Sequence, residues 1–494
     1  MPHVSRAHWS DGRTALDPTP ASCSPRGRRP GMMRGMSTSD AGVRVYDEPV
    51  TRRREQKAWY WYEWAQSAFV TTVSVVLVTP YLTSVAENAA GCPDVSDSNP
   101  CRNNLDVLGV PVSPESAVFY VVTIATVLSF LAMPVVGALA DRSSSKKSWL
   151  AGYAVVGAVA AACLFFVTGG NWLLGAALLI VGNVALIASL TVYAAILVDV
   201  AEPDERDHVS TRGWAFGYVG GLVLLVVSLA LVQLLPFGLT TGEAVRICFV
   251  LAGVWWAAFT LIPYRGLRDR PVAQGRSTVT VGSSFSQLGD TFRHVRDYPQ
   301  TLRFLIAFLF FNDGVQTVIA VAAVYGAKEL GMKTTVVIVA VILVQIAGIV
   351  GALGMGRLAK TQGAYRVILG ALVVWVVIVG IGFVIPAGSL PLFLLLAACI
   401  GLVVAGTQAL SRSLFSQLIP YGREAEYFSL YQACERGTSW LGTLVFGLVQ
   451  QFTGSYRWAI IALVLFFVVG GLLLRRVDIA QGIRDAGNEA PAVV

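Results

Sequence analysis

The sequence predicts an all-α integral membrane protein, with twelve transmembrane helices in two pseudo-symmetric six-helix bundles and both termini cytoplasmic. Three observations predict it. The 494 residues are 55% hydrophobic and only 14% charged, with a mean hydropathy of +0.63, whereas a soluble domain carries about a quarter charged residues. Apolar runs of spanning length recur twelve times between polar punctuation. The two sets of six runs also share motifs in the same order.

Residues 1–45 are rich in Arg, Ser, Pro and Gly and contain no apolar core of signal-peptide length, which predicts a disordered tail. Within them, "MSTSDAG" from Met36 reads as an ordinary start. The first bundle, 46–263, holds the runs 59–84, 116–140, 149–168, 172–198, 214–235 and 246–263. A polar linker, 264–303, follows. In it Phe285, Leu288, Phe292 and Val295 are spaced for an amphipathic helix that lies on the cytoplasmic surface or docks on protein. The second bundle, 304–475, holds 304–326, 335–355, 367–386, 391–411, 433–452 and 457–474, and 476–494 forms a cytoplasmic tail.

Charge sets the orientation. With the amino terminus inside, the inner segments after the tail hold twenty Lys plus Arg and the outer loops five, a strong positive-inside bias. The net charge of +7 is therefore membrane topology and needs no nucleic acid. His3, His8, His208 and His294 are scattered without ligand spacing, and there is no P-loop, HExxH or Gly-x-Ser-x-Gly. No metal, cofactor or enzymatic chemistry is expected; the expected partners are membrane lipid and a small solute, with the chain a monomer. Most cysteines lie in apolar runs as small hydrophobes. Cys92 and Cys101 stand apart in a polar loop, and would form a disulfide if that loop faces an oxidising compartment.

The two halves repeat. "EWAQSAF" at 63–69 and "DGVQTVI" at 313–319 pair Glu63 with Asp313, Gln66 with Gln316 and Ser67 with Thr317, each in the first helix of its half. "GALADRSSSKKSW" at 137–149 and "GRLAKTQGAYRVI" at 356–368 pair Gly137 with Gly356, and Ser210 aligns with Ser429 at a 219-residue offset. Asp313 follows Arg303 by ten residues, so it would lie roughly 15 Å deep, where a carboxylate costs about 3 kcal/mol and is usually functional. Asp313, Asn312, Gln316 and Thr317, opposed by Glu63, Gln66 and Ser67 across a shared cavity, are the expected substrate or coupling-ion pathway, with Asp313 as proton carrier if protons couple. Asn183, Gln345 and Gln408 read as interhelical hydrogen-bonding residues, and Glu435–Arg436 as an ion pair near an inner helix start. Gly217, Gly220 and Gly221, and likewise Gly348, Gly351 and Gly354, read as close-packing positions.

Gly137, Asp141, Arg142, Lys146 and Lys147 resemble the loop between helices two and three of the major facilitator superfamily. The resemblance implies a cytoplasmic gate built on those charges, although Ser144 and Ser145 replace a usual Gly and basic residue. The second copy has Lys360 and Thr361 where an Asp-Arg pair would stand. "YEWAQSAF", "STRGWAFGYVGG" (210–221), "FFNDGVQTV" and "PYGREAEYFSLY" (420–431) resemble, over nearly all of 58–475, the autophagy-related vacuolar effluxer family and its bacterial relatives. Here Glu63 and Gln66 stand where the family usually has Asp and Asn, and Asp199 where it tends to have Glu. The fungal members are associated with exporting amino acids. The resemblance implies a secondary active transporter of a small polar solute, working by alternating access in the plasma membrane. The competing expectation is a non-transporting receptor or scaffold that keeps the fold.

Overall fold

The computed structural model describes residues 46–92, 101, 103–107, 109–270, 294–436 and 440–493, within the unit Gly42–Val494. The expected tail 1–45, and the linker positions Phe285, Leu288 and Phe292, lie outside the described residues; Val295 is buried.

The chain is mostly helical. Helix α1 (Pro49–Ala68) runs through a π-helical stretch, Phe69–Leu77, into α2 (Val78–Ala89). Two three-residue strands follow, β1 (Leu105–Val107) and β2 (Val110–Val112), paired antiparallel. This hairpin corrects the all-α expectation. Its strands are too short to show an alternating pattern, and its turn depends on Gly109, which has φ +84° and donates its amide to Asp106 Oδ1 at 2.8 Å. Cys92 and Cys101 are disulfide-bonded in the same loop, their Cα atoms 5.7 Å apart.

The amino-terminal half continues with α3 (Pro114–Asp141), α4 (Lys146–Cys163), α5 (Trp172–Val200), α6 (Arg206–Leu234) and α7 (Thr241–Gly266). Starts are written locally: Ser113 Oγ caps α3 ahead of Pro114, and Thr240 with Glu243 forms a capping box on α7. The second half holds α8 (Pro299–Lys328), α9 (Thr334–Gln362), α10 (Ala364–Val384), α11 (Leu390–Gln417), α12 (Glu424–Arg436), α13 (Trp440–Thr453), α14 (Tyr456–Ala462) and α15 (Val464–Arg475). A short α16 (Ile479–Asp485) follows. Eleven segments among the described residues are long and apolar enough to cross a membrane. The expected twelfth, 433–452, falls across 437–439, which lie outside the described residues.

Several helices outrun their apolar runs at one end. Helix α6 starts at Arg206 rather than 214, α11 reaches Gln417 rather than 411, and α12 starts at Glu424 rather than 433. Charge ends a hydropathy run, but it does not end a helix when a neighbouring helix satisfies it. The stretches 206–213, 412–417 and 424–432, expected in inner loops, are thus largely buried helix.

The halves meet through α3, α5 and α6 on one side and α9, α11 and α12 on the other. Ala215, Ala352 and Ala405 form a buried cluster at that seam, where small residues let backbones approach. The glycines of α6 pack on α1: Gly213 faces Trp59, Gly217 faces Glu63 and Ser67, and Gly220 faces Trp64. Gly348 meets Tyr218 and Gly351 meets the Leu402 backbone, while a side chain at Gly354 would meet nothing within 4 Å.

Candidate functional site

Glu63 lies on α1, 4% exposed. Its Oε2 accepts from Gln66 Nε2 at 2.6 Å, and the same amide reaches Ser67 Oγ at 3.3 Å. Its Oε1 pairs with Arg412 Nη1 of α11 at 2.6 Å, which ties one half to the other. Arg412 Nε donates to Ser210 Oγ at 3.1 Å and Nη2 to Ser210 O at 3.3 Å. The guanidinium lies over Trp59, Tyr193 and Trp214, with ring centroids 5.0, 5.3 and 5.8 Å away. Trp59 stacks on Tyr193 at 4.1 Å. Burying two charges is tolerable only with this many partners, and a flat, delocalised cation suits a cage of aromatic faces.

Arg412 is the residue that sequence reasoning missed, because it closes a long apolar run and so counts as a loop charge. The repeat carried a signal for it: the offset that aligns Ser210 with Ser429 also aligns Tyr193 with Arg412. The two meet in space.

The polar group of the second half is built differently. Asn312 Oδ1 accepts from Gln408 Nε2 at 2.7 Å, and Asn312 Nδ2 donates to Glu435 O at 2.8 Å. Gln432 Nε2 donates to Glu435 Oε2 at 3.0 Å. Asp313 and Thr317 are fully buried, and Gln316 is half-buried. Asp313 Oδ2 accepts the amide of Gly442 at 2.7 Å, in the first turn of α13 and in the same half. Thr317 flanks the same glycine. The structure thus gathers Glu63, Gln66 and Ser67 around Arg412, and Asn312 with Gln408 and Glu435. The charge that meets Glu63 is Arg412 and not Asp313. Glu435 stands near the end of α12, not at a helix start, because α12 begins at Glu424. Gln345 reaches Thr71 across the halves at 3.4 Å, but Asn183 bonds Leu179 O within its own helix.

At the end where α3 meets α4, the halves are sealed. Asp141, the last residue of α3, accepts from Ala425 N at 2.9 Å and Glu426 N at 2.8 Å. Those first-turn amides of α12 have no carbonyl of their own helix, and a carboxylate suits them. Lys146 pairs with Asp199 at 3.1 Å and with Glu424 of the other half at 3.5 Å. Lys147 instead stays in its half, on Leu267 O at 3.1 Å and Asp269 at 3.3 Å. Arg142, at the α3 C-cap, is half-buried. Arg206 donates to Ser416 O at 2.9 Å and Gln417 Oε1 at 3.1 Å, and Gln417 answers to Pro203 O at 2.9 Å. The repeated glycines explain themselves here. A Cβ at Gly137 would meet the backbone of Ala425 and Glu426, and one at Gly356 would strike Thr211. Each copy presses its glycine against the opposite half.

Comparison with known proteins agrees with this architecture. The family model described as "Vacuole effluxer Atg22 like" matches residues 51–206 and 198–487. An uncharacterized MFS-type transporter of Bacillus subtilis (strain 168), YxiO, is 25% identical over 444 residues, spanning 89% of this chain and 98% of its own. Autophagy-related protein 22-1 of Penicillium rubens is 23% identical over 558 residues, spanning 89% of this chain and 92% of its own. Among solved structures, the human organic anion transporter MFSD10 (TETRAN) superposes with a TM-score of 0.64 at 14% identity, over 87% of this chain and 100% of that one. A bacterial homologue of the iron transporter ferroportin, in an outward-facing state, superposes with a TM-score of 0.61 at 14% identity, over 86% and 98%. At such identity these structures speak for the fold alone. This chain belongs to the Atg22-like vacuole effluxer family and is built on the fold of the major facilitator superfamily.

Proposed function

We propose that the protein is a secondary transporter that moves a small polar solute across the plasma membrane by alternating access. It would use twelve spans, with both termini and the α3–α4 and α9–α10 connections on the cytoplasmic side. The Glu63–Arg412 pair carries this reading: a buried charge pair that joins the two halves must break when they rock apart. The contacts of Asp141, Lys146 and Arg206 below it then read as the closed cytoplasmic gate of an outward-facing state.

The substrate pathway would centre on Glu63, Gln66, Ser67 and Arg412, extended by Gln408 and Asn312. Asp313, Thr317 and Gln316 would act from within the second half by holding the first turn of α13, with Asp313 the candidate for proton coupling. Amino acids are the first class to try and export the first direction, as the family's name suggests. A thermal-shift screen of purified protein against amino acids, nucleosides, sugars and drugs, followed by counterflow in vesicles, tests the reading. One class should stabilise the wild type, lose that effect in Glu63→Gln, and exchange across the vesicle. Binding without counterflow of any solute would favour a receptor instead.

A further inference from the structure

We propose that Glu435 is a second seat for Arg412: when the halves part at the cytoplasmic end, the guanidinium leaves Glu63 and pairs with Glu435 inside its own half. The purpose of the exchange rests on the transport reading, but its evidence and its test concern conformation.

Helices α11 and α12 meet through side chains, Phe415 of α11 lying against Phe428 and Tyr431 of α12. Toward the cytoplasmic end, Phe415 stacks on Tyr431 with centroids 5.1 Å apart. Further in, Gln408 holds Asn312, which in turn holds the Glu435 carbonyl. Arg412 lies between Gln408 and Phe415 on the same helical stripe, four residues after one and three before the other. It therefore stands opposite the interval 431–435 of α12, where Tyr431 and Glu435 are one turn apart. Both lie within electrostatic reach of Arg412, and Glu435 also senses Glu63. Among the described residues, Gln432 donates to the Glu435 carboxylate and Arg436 acts on it electrostatically.

The physical demand is simple. Arg412 is 5% exposed and its ion-pair partner Glu63 belongs to the other half. Opening that seam withdraws Glu63 and Ser210 together, and a buried guanidinium left without an acid is strongly disfavoured. Glu435, an acid of the same half whose carboxylate already feels the Arg412 charge, meets the demand. Glu63 meanwhile keeps the Gln66 amide and faces the water that enters. Arg412 would then bias the two states through which acid it holds.

Hydrogen exchange of the full chain in nanodiscs tests this, read at the amides of Ala425 and Glu426, which Asp141 holds across the seam. Exchange there proceeds through the opened state and so reports its population. Glu63→Gln should speed exchange about tenfold, because only the second seat remains. Glu435→Gln should slow it about tenfold. Glu435→Asp, which keeps the charge and draws it back by one methylene, should fold in any case and slow exchange about threefold. Exchange in the folded Glu435 variants at or above the wild-type rate would overturn the proposal. That result would leave transport untouched, because counterflow by the wild type is measured separately.

Discussion

The Asp141 carboxylate holds both the Ala425 and Glu426 amides, so the last residue of α3 caps the first turn of a helix in the opposite half. The contact uses the positive end of α12 as a counter-charge, and the Lys146 and Glu424 side chains also act on the carboxylate. Asp141→Asn keeps one acceptor oxygen and turns an N–H toward the other amide. Losing one charge-assisted bond costs about 1.5–3 kcal/mol. The closed end should open at least about tenfold more often, seen as faster trypsin cleavage after Arg423 in membranes. Cleavage at the wild-type rate would detach Asp141 from closure.

Arg412 and Glu63 stabilise each other but need not stabilise the fold relative to a neutral pair. Arg412→Ala leaves a buried carboxylate, at a cost of about 3–5 kcal/mol, and should lower Tm by several degrees. The double variant Glu63→Gln/Arg412→Gln should recover most of that loss while transport stays abolished. Full transport by the double variant would make the pair structural only.

Gly351 and Gly354 form a matched control on α9. A methyl at 351 would overlap the Leu402 carbonyl, while one at 354 meets nothing within 4 Å. Gly351→Ala should force α9 from α11 and destabilise by about 2–4 kcal/mol, in the range of overpacked cores. Gly354→Ala should be neutral or gain up to about 1 kcal/mol of helix propensity. Thermal unfolding in one detergent compares them, and equal shifts would contradict the packing.

The carboxy-terminal segment straps the closed end. Asn488 Nδ2 donates to Gln417 O and Ile419 O, both at 2.8 Å, and Ala492 N donates to Asp204 Oδ1 in the other half at 2.6 Å. Asn488→Ala leaves two part-buried carbonyls to water, a loss of about 1–3 kcal/mol. Exchange of the 479–493 amides should rise about tenfold with little change in global Tm. Unchanged exchange would show that the strap is held elsewhere.

Sequence alone determined the class of this molecule. A run of about twenty apolar residues is a nearly sufficient condition for a membrane span, so the eleven spans among the described residues were legible, as were the repeat and the family motifs. Gly137 and Gly356 were legible as a pair as well, since a duplication leaves matched letters. The hairpin at 105–112 was not, because three-residue strands carry no period. Nor was Arg412. Hydropathy scores a charge by its cost in lipid and is blind to a partner 349 positions away. Glu63 and Asp313 look equivalent as letters, yet one faces an arginine across the seam and the other faces the Gly442 amide within its half. Which acid meets which partner depends on helix rotation and on where the two halves touch. Those are decided by side-chain packing between segments far apart in the chain, and only the tertiary structure carries that information.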